Sequence, residues 1–569
     1  MRSVGVSLPD SRPGRAVRLL TATMPMAIVL AVALLGAPPA LADKAAADRI
    51  ETDLEAWDIA GAQRGLDDLM QAEPDATETA YFRGRVLFEQ GKYDEAVKQF
   101  EDARSRGAGH LDEELRLAKA AAAEVKGDDV NETAHFILRT PKGKDALLVP
   151  YALSALERSY DFLTKDLGYA PTDKIRVEVY ESAQALARVS PLTVAEIKAS
   201  GTIALCKYSR LMITSPRALL RGYSWLDTLS HEFTHFLVTQ KGRNTVPIWL
   251  QEGLAKFLET RWRGEPGLAV DELSLQLLAR AAKTKTLIPF ARMHPSIAKL
   301  PTQEQAALAF AEVEAAMRLL YLRGGQTALT ELVAAMASGM HDEAAVAQAY
   351  GKSFVQFEAD WRVEVAKPRA RPGARPLEQH QVVFKEDAKS SKERPVLAEA
   401  PAIPEHAGDA ESKRMMRLGE LFFARRRWGA AAHEYGLARA RLPQSLPQLD
   451  RRYAFAELQL GHLSQAEGAL GAAVLRDPDD EAAQALYAQV LVKRGAFDKA
   501  RGALESGIAQ DPFDPDLHGL YVLVAQGLKD AKLEAQERSA YALATGQAAQ
   551  AAAQGAPAPG NSALKEEAR

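Results

Sequence analysis

Apolar residues change their spacing through the middle of the chain. HFILRT (135–140) reads as a strand, and KIRVEVY (174–180) alternates apolar and polar positions, which predicts another. TIALC (202–206) and RLMITS (210–215) read as two more strands with a turn between them. Pro150 to Leu167 carries helical spacing, and helices are expected near 181–198. A long helix should begin near Tyr223. Residues 131–366 therefore read as one mixed domain, a small sheet with several helices.

On both sides of it the pattern is helical and periodic. Gly84, Leu87, Gly91, Tyr93, Ala96, Phe100 and Ala103 place small residues where two helices would touch and large ones between them. The C-terminal part repeats the arrangement. Leu418, Gly419, Phe422, Trp428, Ala431, Tyr435, Ala438 and Pro443 mark one unit. Gly461 to Gly495, Ala466 to Ala500 and Pro478 to Pro512 are each 34 residues apart. This period resembles the tetratricopeptide repeat, or TPR. Such hairpins stack because one alone cannot bury its apolar face, and the stack commonly presents a concave surface for a protein or peptide. The resemblance covers 43–130 and 412–545, with a degenerate helix pair expected at 44–72 and capping helices at 516–543.

The ends and the junction differ in composition. Arg2, Arg12, Arg15 and Arg18 precede an apolar run near Met24–Leu35, and Ala40 and Ala42 are small residues in the right places for cleavage. Residues 1–42 read as a signal peptide, which implies a periplasmic or secreted protein. An uncleaved anchor would tether it to a membrane instead. Residues 367–411 hold six prolines among charged residues and read as a linker, extended and semi-rigid. A processing or docking segment is the other reading. Residues 546–569 form an Ala/Gln/Pro-rich tail, expected to be disordered. The whole is 569 residues with 71 basic and 75 acidic side chains, too balanced for a nucleic-acid partner. A single cysteine, Cys206, excludes an intrachain disulfide and a cysteine-cluster metal site. It reads as an inert thiol.

The expected long helix contains His231-Glu232-Phe233-Thr234-His235, the pattern H-E-x-x-H. Residues four apart lie on one helix face, so both imidazoles can reach one Zn²⁺. Glu232 would sit on the open side of the metal, placed to take a proton from a water. By chance the pattern occurs in roughly one chain of this length in seventy, so the next segment matters. Pro247-Ile248-Trp249-Leu250-Gln251-Glu252-Gly253-Leu254-Ala255 puts a lone carboxylate in an apolar run. A buried unpaired carboxylate is costly, and a cation would relieve that cost. Gly253 would let the second helix pack closely.

HEFTH followed by WLQEGLA resembles the gluzincin zinc metallopeptidases, in particular the peptidase-MA-like domains found with TPRs. The resemblance implies one zinc per chain, with His231, His235 and Glu252 as ligands and Glu232 as general base. It implies hydrolysis of a peptide or protein, aligned along a strand near 202–206 or 210–215. It also implies a downstream Tyr or His at the oxyanion, and here this chain departs from it. Phe310 stands where related domains often carry Tyr, leaving Tyr321, Tyr223 and His294 as candidates. Asp227 is a candidate to orient a zinc histidine, whereas Glu259, two turns beyond Glu252, reads as solvated. The fold class expected is mostly α with a mixed α+β central domain. The function expected is an exported zinc metallopeptidase whose repeats hold a protein partner or substrate. The alternative is a TPR scaffold around a weak or inactive peptidase-like domain.

Overall fold

The computed structural model describes residues 39–220, 222–264, 270–294, 296–367, 382–385, 408–442 and 446–547. Most of the signal segment, most of the linker and the tail lie outside these. Among the described residues no helix is long and apolar enough to cross a membrane.

The central domain is built on a five-stranded sheet. Its strands are β1 (Asp129–Glu132), β2 (Phe136–Thr140), β3 (Ile175–Tyr180), β4 (Ala204–Lys207) and β5 (Arg210–Thr214), in spatial order β1-β2-β3-β5-β4. β2, β3 and β5 run parallel, with Val177 opposite both Leu138 and Leu211. β1 and β4 are antiparallel edges. All residues of β3 and β5 are buried, as a parallel sheet interior requires. The four expected strands form within about two residues of their predicted bounds. The apolar pattern does not predict β1, because Asp-Val-Asn-Glu is too short to show alternation and is mostly exposed.

One helix packs on β4 and β5, and two more pack against it and against each other. They are the HExxH helix (Trp225–Gly242), the return helix (Ile248–Leu258) and a long helix (Gln303–Ala337) broken at Gly325 by a left-handed φ of 63°. The HExxH helix buries most of its faces, including Trp225, Leu229, Phe233 and Leu237.

The repeats form as expected. Pro39–Glu55 with Ile59–Ala72, and Thr77–Glu89 with Tyr93–Ser105, make two N-terminal hairpins. Four C-terminal hairpins run from Ala410 to Thr545, the last being Pro515–Leu528 with Ala531–Thr545. Neither array is a free arm. From the N-terminal array, Tyr93 donates its hydroxyl proton to Glu178 on β3 and accepts from Arg176 and Arg210. Arg210 and Glu178 are almost wholly buried there. From the C-terminal array, the carbonyls of Ile508 and Gln510 accept from Trp225 Nε1 at 3.0 Å and from the Tyr223 amide at 2.9 Å. Tyr151 reaches the other way, donating to Glu537 at 2.6 Å.

The linker departs from a purely extended connection. Val382, Val383 and Phe384 lie against the central domain, and Phe384 is 2% exposed.

Candidate metal centre

Helix geometry brings the two HExxH imidazoles side by side. Their ring centroids are 4.8 Å apart and their Nε2 atoms 3.2 Å apart. The chain then reverses. Arg243 ends the helix in the left-handed region, with φ 49°, and its amide and that of Asn244 bond back to Gln240 and Thr239. Pro247 precedes the return helix and sets its start.

The return helix carries Glu252 to the same point. Its Oε2 lies 3.4 Å from His231 Nε2 and 3.3 Å from His235 Nε2. Gly253 makes that approach feasible. A Cβ there would stand 2.9 Å from Met317 Cγ and 3.0 Å from the Val313 carbonyl of the long helix. The three ligand atoms thus form a triangle with sides of 3.2, 3.3 and 3.4 Å. Tetrahedral zinc with bonds of about 2.05 Å needs donors about 3.3 Å apart. These are the residues that could hold a metal ion among those described, and their donor types and spacing fit zinc.

Glu259 departs from its expected place in solvent. Its side chain is 17% exposed, and its Oε2 lies 3.3 Å from His231 Nδ1. Lys256 Nζ donates to its other oxygen. A carboxylate on Nδ1 keeps the proton there and turns the Nε2 lone pair toward the ligand triangle. Seven residues beyond Glu252 on one helix, Glu259 shares its face, and that periodicity is the signal in the sequence that points to it. Asp227, the residue expected in this role, is engaged elsewhere. It accepts from Trp262 Nε1 at 2.7 Å and from Arg263 at 2.8 Å.

Charge in the cluster is unbalanced. Burial drives the His231 pKa down, but the bonds from Glu252 and Glu259 and the charge of Glu232 outweigh it and raise it to about 10. Burial raises Glu252, yet the charge of His235 and bonds to both imidazoles hold it far below the usual carboxylate range. Burial also raises Glu232, against the charges of His235 and His231. Three carboxylates around two imidazoles therefore retain a proton that a divalent cation would replace.

Glu232 lies beside the sheet edge. The Thr214 amide bonds to the Ile203 carbonyl at 2.8 Å, so alternation turns the backbone groups of Ala204 and Cys206 away from β5, onto the free edge. The Cys206 amide meets the Glu232 carboxylate there. Of the two strands considered for substrate alignment, only β4 is an edge, since β5 lies between β3 and β4. Burial raises the Cys206 thiol pKa well above its ordinary value, and the Glu232 charge raises it further, so it stays protonated.

The oxyanion candidates are dispersed. The Phe310 ring is 6.1 Å from the His231 ring, edge to face. Tyr321 packs against Phe257 at 5.2 Å, His294 is exposed, and the buried Tyr223 donates to the Thr214 carbonyl at 2.5 Å. None of the three is bonded to the cluster.

Residues 157–367 match the family model of the Peptidase MA superfamily, and residues 457–523 match that of a tetratricopeptide repeat. No curated protein matches. A solved structure described as the APC/C hetero-tetramer Cut9-Hcn1 is similar at 10% identity, covering 90% of this chain and 95% of that one. Its TM-score is 0.23, too low to support a conclusion. Residues 157–367, with the HExxH helix and the return helix inside them, are a Peptidase MA superfamily domain in a chain that also carries tetratricopeptide repeats.

Proposed function

We propose that the protein is a zinc-dependent peptidase that hydrolyses peptide bonds in a protein or peptide substrate. The observation that carries this is the His231–His235–Glu252 triangle, matched to the edge of a zinc tetrahedron, with Glu232 beside it. A bound zinc would polarise the scissile carbonyl and acidify the attacking water. Glu232 takes the proton from that water and delivers it to the leaving amine. Its burial favours the protonated form needed for the second transfer. The backbone groups of Ala204 and the Cys206 carbonyl, turned to the free edge, align an extended substrate along β4. Glu259 orients His231 from behind.

The repeats supply a surface for a protein partner or for the substrate itself. Residues 1–42 direct export, to the periplasm or outside the cell, with a membrane tether if the segment is retained. One observation favours the second reading, a scaffold with slow turnover: Phe310 packs on His231 and brings no hydroxyl to the oxyanion.

The test is Glu232→Gln in the full chain. It should retain one zinc per chain while hydrolysis of an unfolded-protein panel falls by about 10²–10⁴-fold. Wild-type protein that holds zinc and cleaves nothing in the panel would establish the scaffold reading instead.

A further inference from the structure

The linker segment Val382–Phe384 is held as a peptide ligand is held. On one side, the Leu220 amide donates to the Val383 carbonyl at 2.8 Å, and Phe384 forms an antiparallel bridge with Leu219. On the other, the Gln303 side chain reads one residue's backbone twice. Its Oε1 accepts from the Val382 amide at 3.0 Å, and its Nε2 donates to the Val382 carbonyl at 3.3 Å. Gly201 lies beneath, where a Cβ would stand 3.2 Å from Val382 Cβ. Phe384 is fully sunk into the core of the central domain, while Val383 faces solvent.

Backbone bonds to both sides with one buried aromatic anchor are the recognition mode of strand addition. Connectivity does not demand it. Some 40 residues separate Lys367 from Gly408, ample to join the domains without an anchor. The location is also specific. Gly201 leads into β4, Leu220 leads into the HExxH helix, and Gln303 begins the helix that sets Phe310 on His231. The groove is therefore formed by the segments that lead into β4, the HExxH helix and the long helix, the last two of which also border the metal cluster.

We propose that Gly201, Leu219–Leu220 and Gln303 form a docking groove for an extended peptide with an aromatic anchor, and that Val382–Phe384 fills it as a displaceable internal ligand. Tethering keeps the segment at an effective concentration of about millimolar, so a peptide added in trans competes poorly until the tethered copy is released. The groove requires neither zinc nor turnover, so it stands or falls apart from the peptidase reading.

The experiment uses the full chain and a fluorescent peptide of residues 380–387, HQVVFKED, read by anisotropy. Phe384→Ala should bind it at least tenfold tighter than wild type. Adding Gln303→Ala should abolish that gain, and a peptide with Ala in place of its Phe should not bind. A second variant, Val382→Pro, removes the amide that Gln303 accepts from but leaves Phe384 in place. It should raise hydrogen exchange at the Leu220 amide and raise peptide affinity. Equal peptide binding by wild type and both variants, with circular dichroism showing them folded, would overturn the proposal. So would unchanged Leu220 exchange in Val382→Pro.

Discussion

Glu259 fixes the ring of His231, so Glu259→Ala should weaken zinc binding by about 10–100-fold, read by competition with a chromophoric chelator. Zinc affinity should also depend on pH with a defined sign. The His231 pKa is raised to about 10, so at pH 7 the metal-free ring is protonated and must lose that proton to coordinate. Affinity should therefore rise as pH rises toward that value. Calorimetry in buffers of different ionisation enthalpy should show proton release on binding; no release would contradict this charge balance. A second buried acid lies away from the site. Glu312 is completely buried, accepts from the Ile288 amide at 2.9 Å, and burial pushes its pKa up to about 8. Because its folded pKa lies above the unfolded value, the folded state binds more protons between about pH 4.5 and 8. Its contribution to stability is then lost as pH rises through that window. Glu312→Gln keeps an acceptor for Ile288 and should flatten the fall in Tm over the same range.

Among the elements, the return helix matters most, because it must approach the long helix closely enough for Glu252 to reach the imidazoles. Gly253→Ala would set a Cβ 3.0 Å from the Val313 carbonyl, a backbone atom that cannot swing aside. Overpacking of this kind costs about 1–3 kcal/mol. We expect a lower Tm together with weaker zinc binding, since the displaced helix carries Glu252 and leads into Glu259. A drop in Tm with unchanged zinc affinity would show that Gly253 serves packing alone. The same elements show how much of the site is legible in the sequence. Helical spacing alone puts His231 and His235 together, because 3.6 residues per turn is a local rule. Spacing puts Glu259 on the Glu252 face, but nothing local says what that face meets. The helix is apolar on most sides, and the partner that covers the Glu259 face, the HExxH helix, is supplied by the fold. Likewise the apolar triplet Val382-Val383-Phe384 stands in a charged linker, where average composition hides it.

For the molecule as a whole, both repeat arrays are built into the peptidase domain. Gly222 shows how tightly the C-terminal array is docked: a Cβ there would come within 1.8 Å of the Gln510 carbonyl oxygen. Gly222→Val should therefore separate that array from the HExxH helix, seen as a larger radius of gyration in small-angle scattering. An unchanged radius would mean that the contact rearranges without opening. On the other flank, Tyr93 joins Glu178, Arg176 and Arg210 in a buried network that spans the first array and the sheet. Removing a shared hydroxyl from such a network leaves charged groups short of partners. An isolated domain of 131–366 would keep the Arg176–Glu178 and Arg210–Glu178 pairs but lose the Tyr93 hydroxyl that bridges them, so its Tm should fall below that of the full chain.

Short-range periodicity is written in the chain itself. It yields the helical hairpins with their 34-residue return, the four short apolar strands, and the HExxH pair. Whatever depends on two distant segments meeting belongs to the packed fold. Packing sets the metal triangle at 3.2–3.4 Å, places Glu259 rather than Asp227 behind His231, makes β4 the free edge, and seats Phe384 in the core. The reason is physical: the direction a side chain faces within an element is fixed by backbone geometry, but what it faces is fixed by which other surface is buried against it.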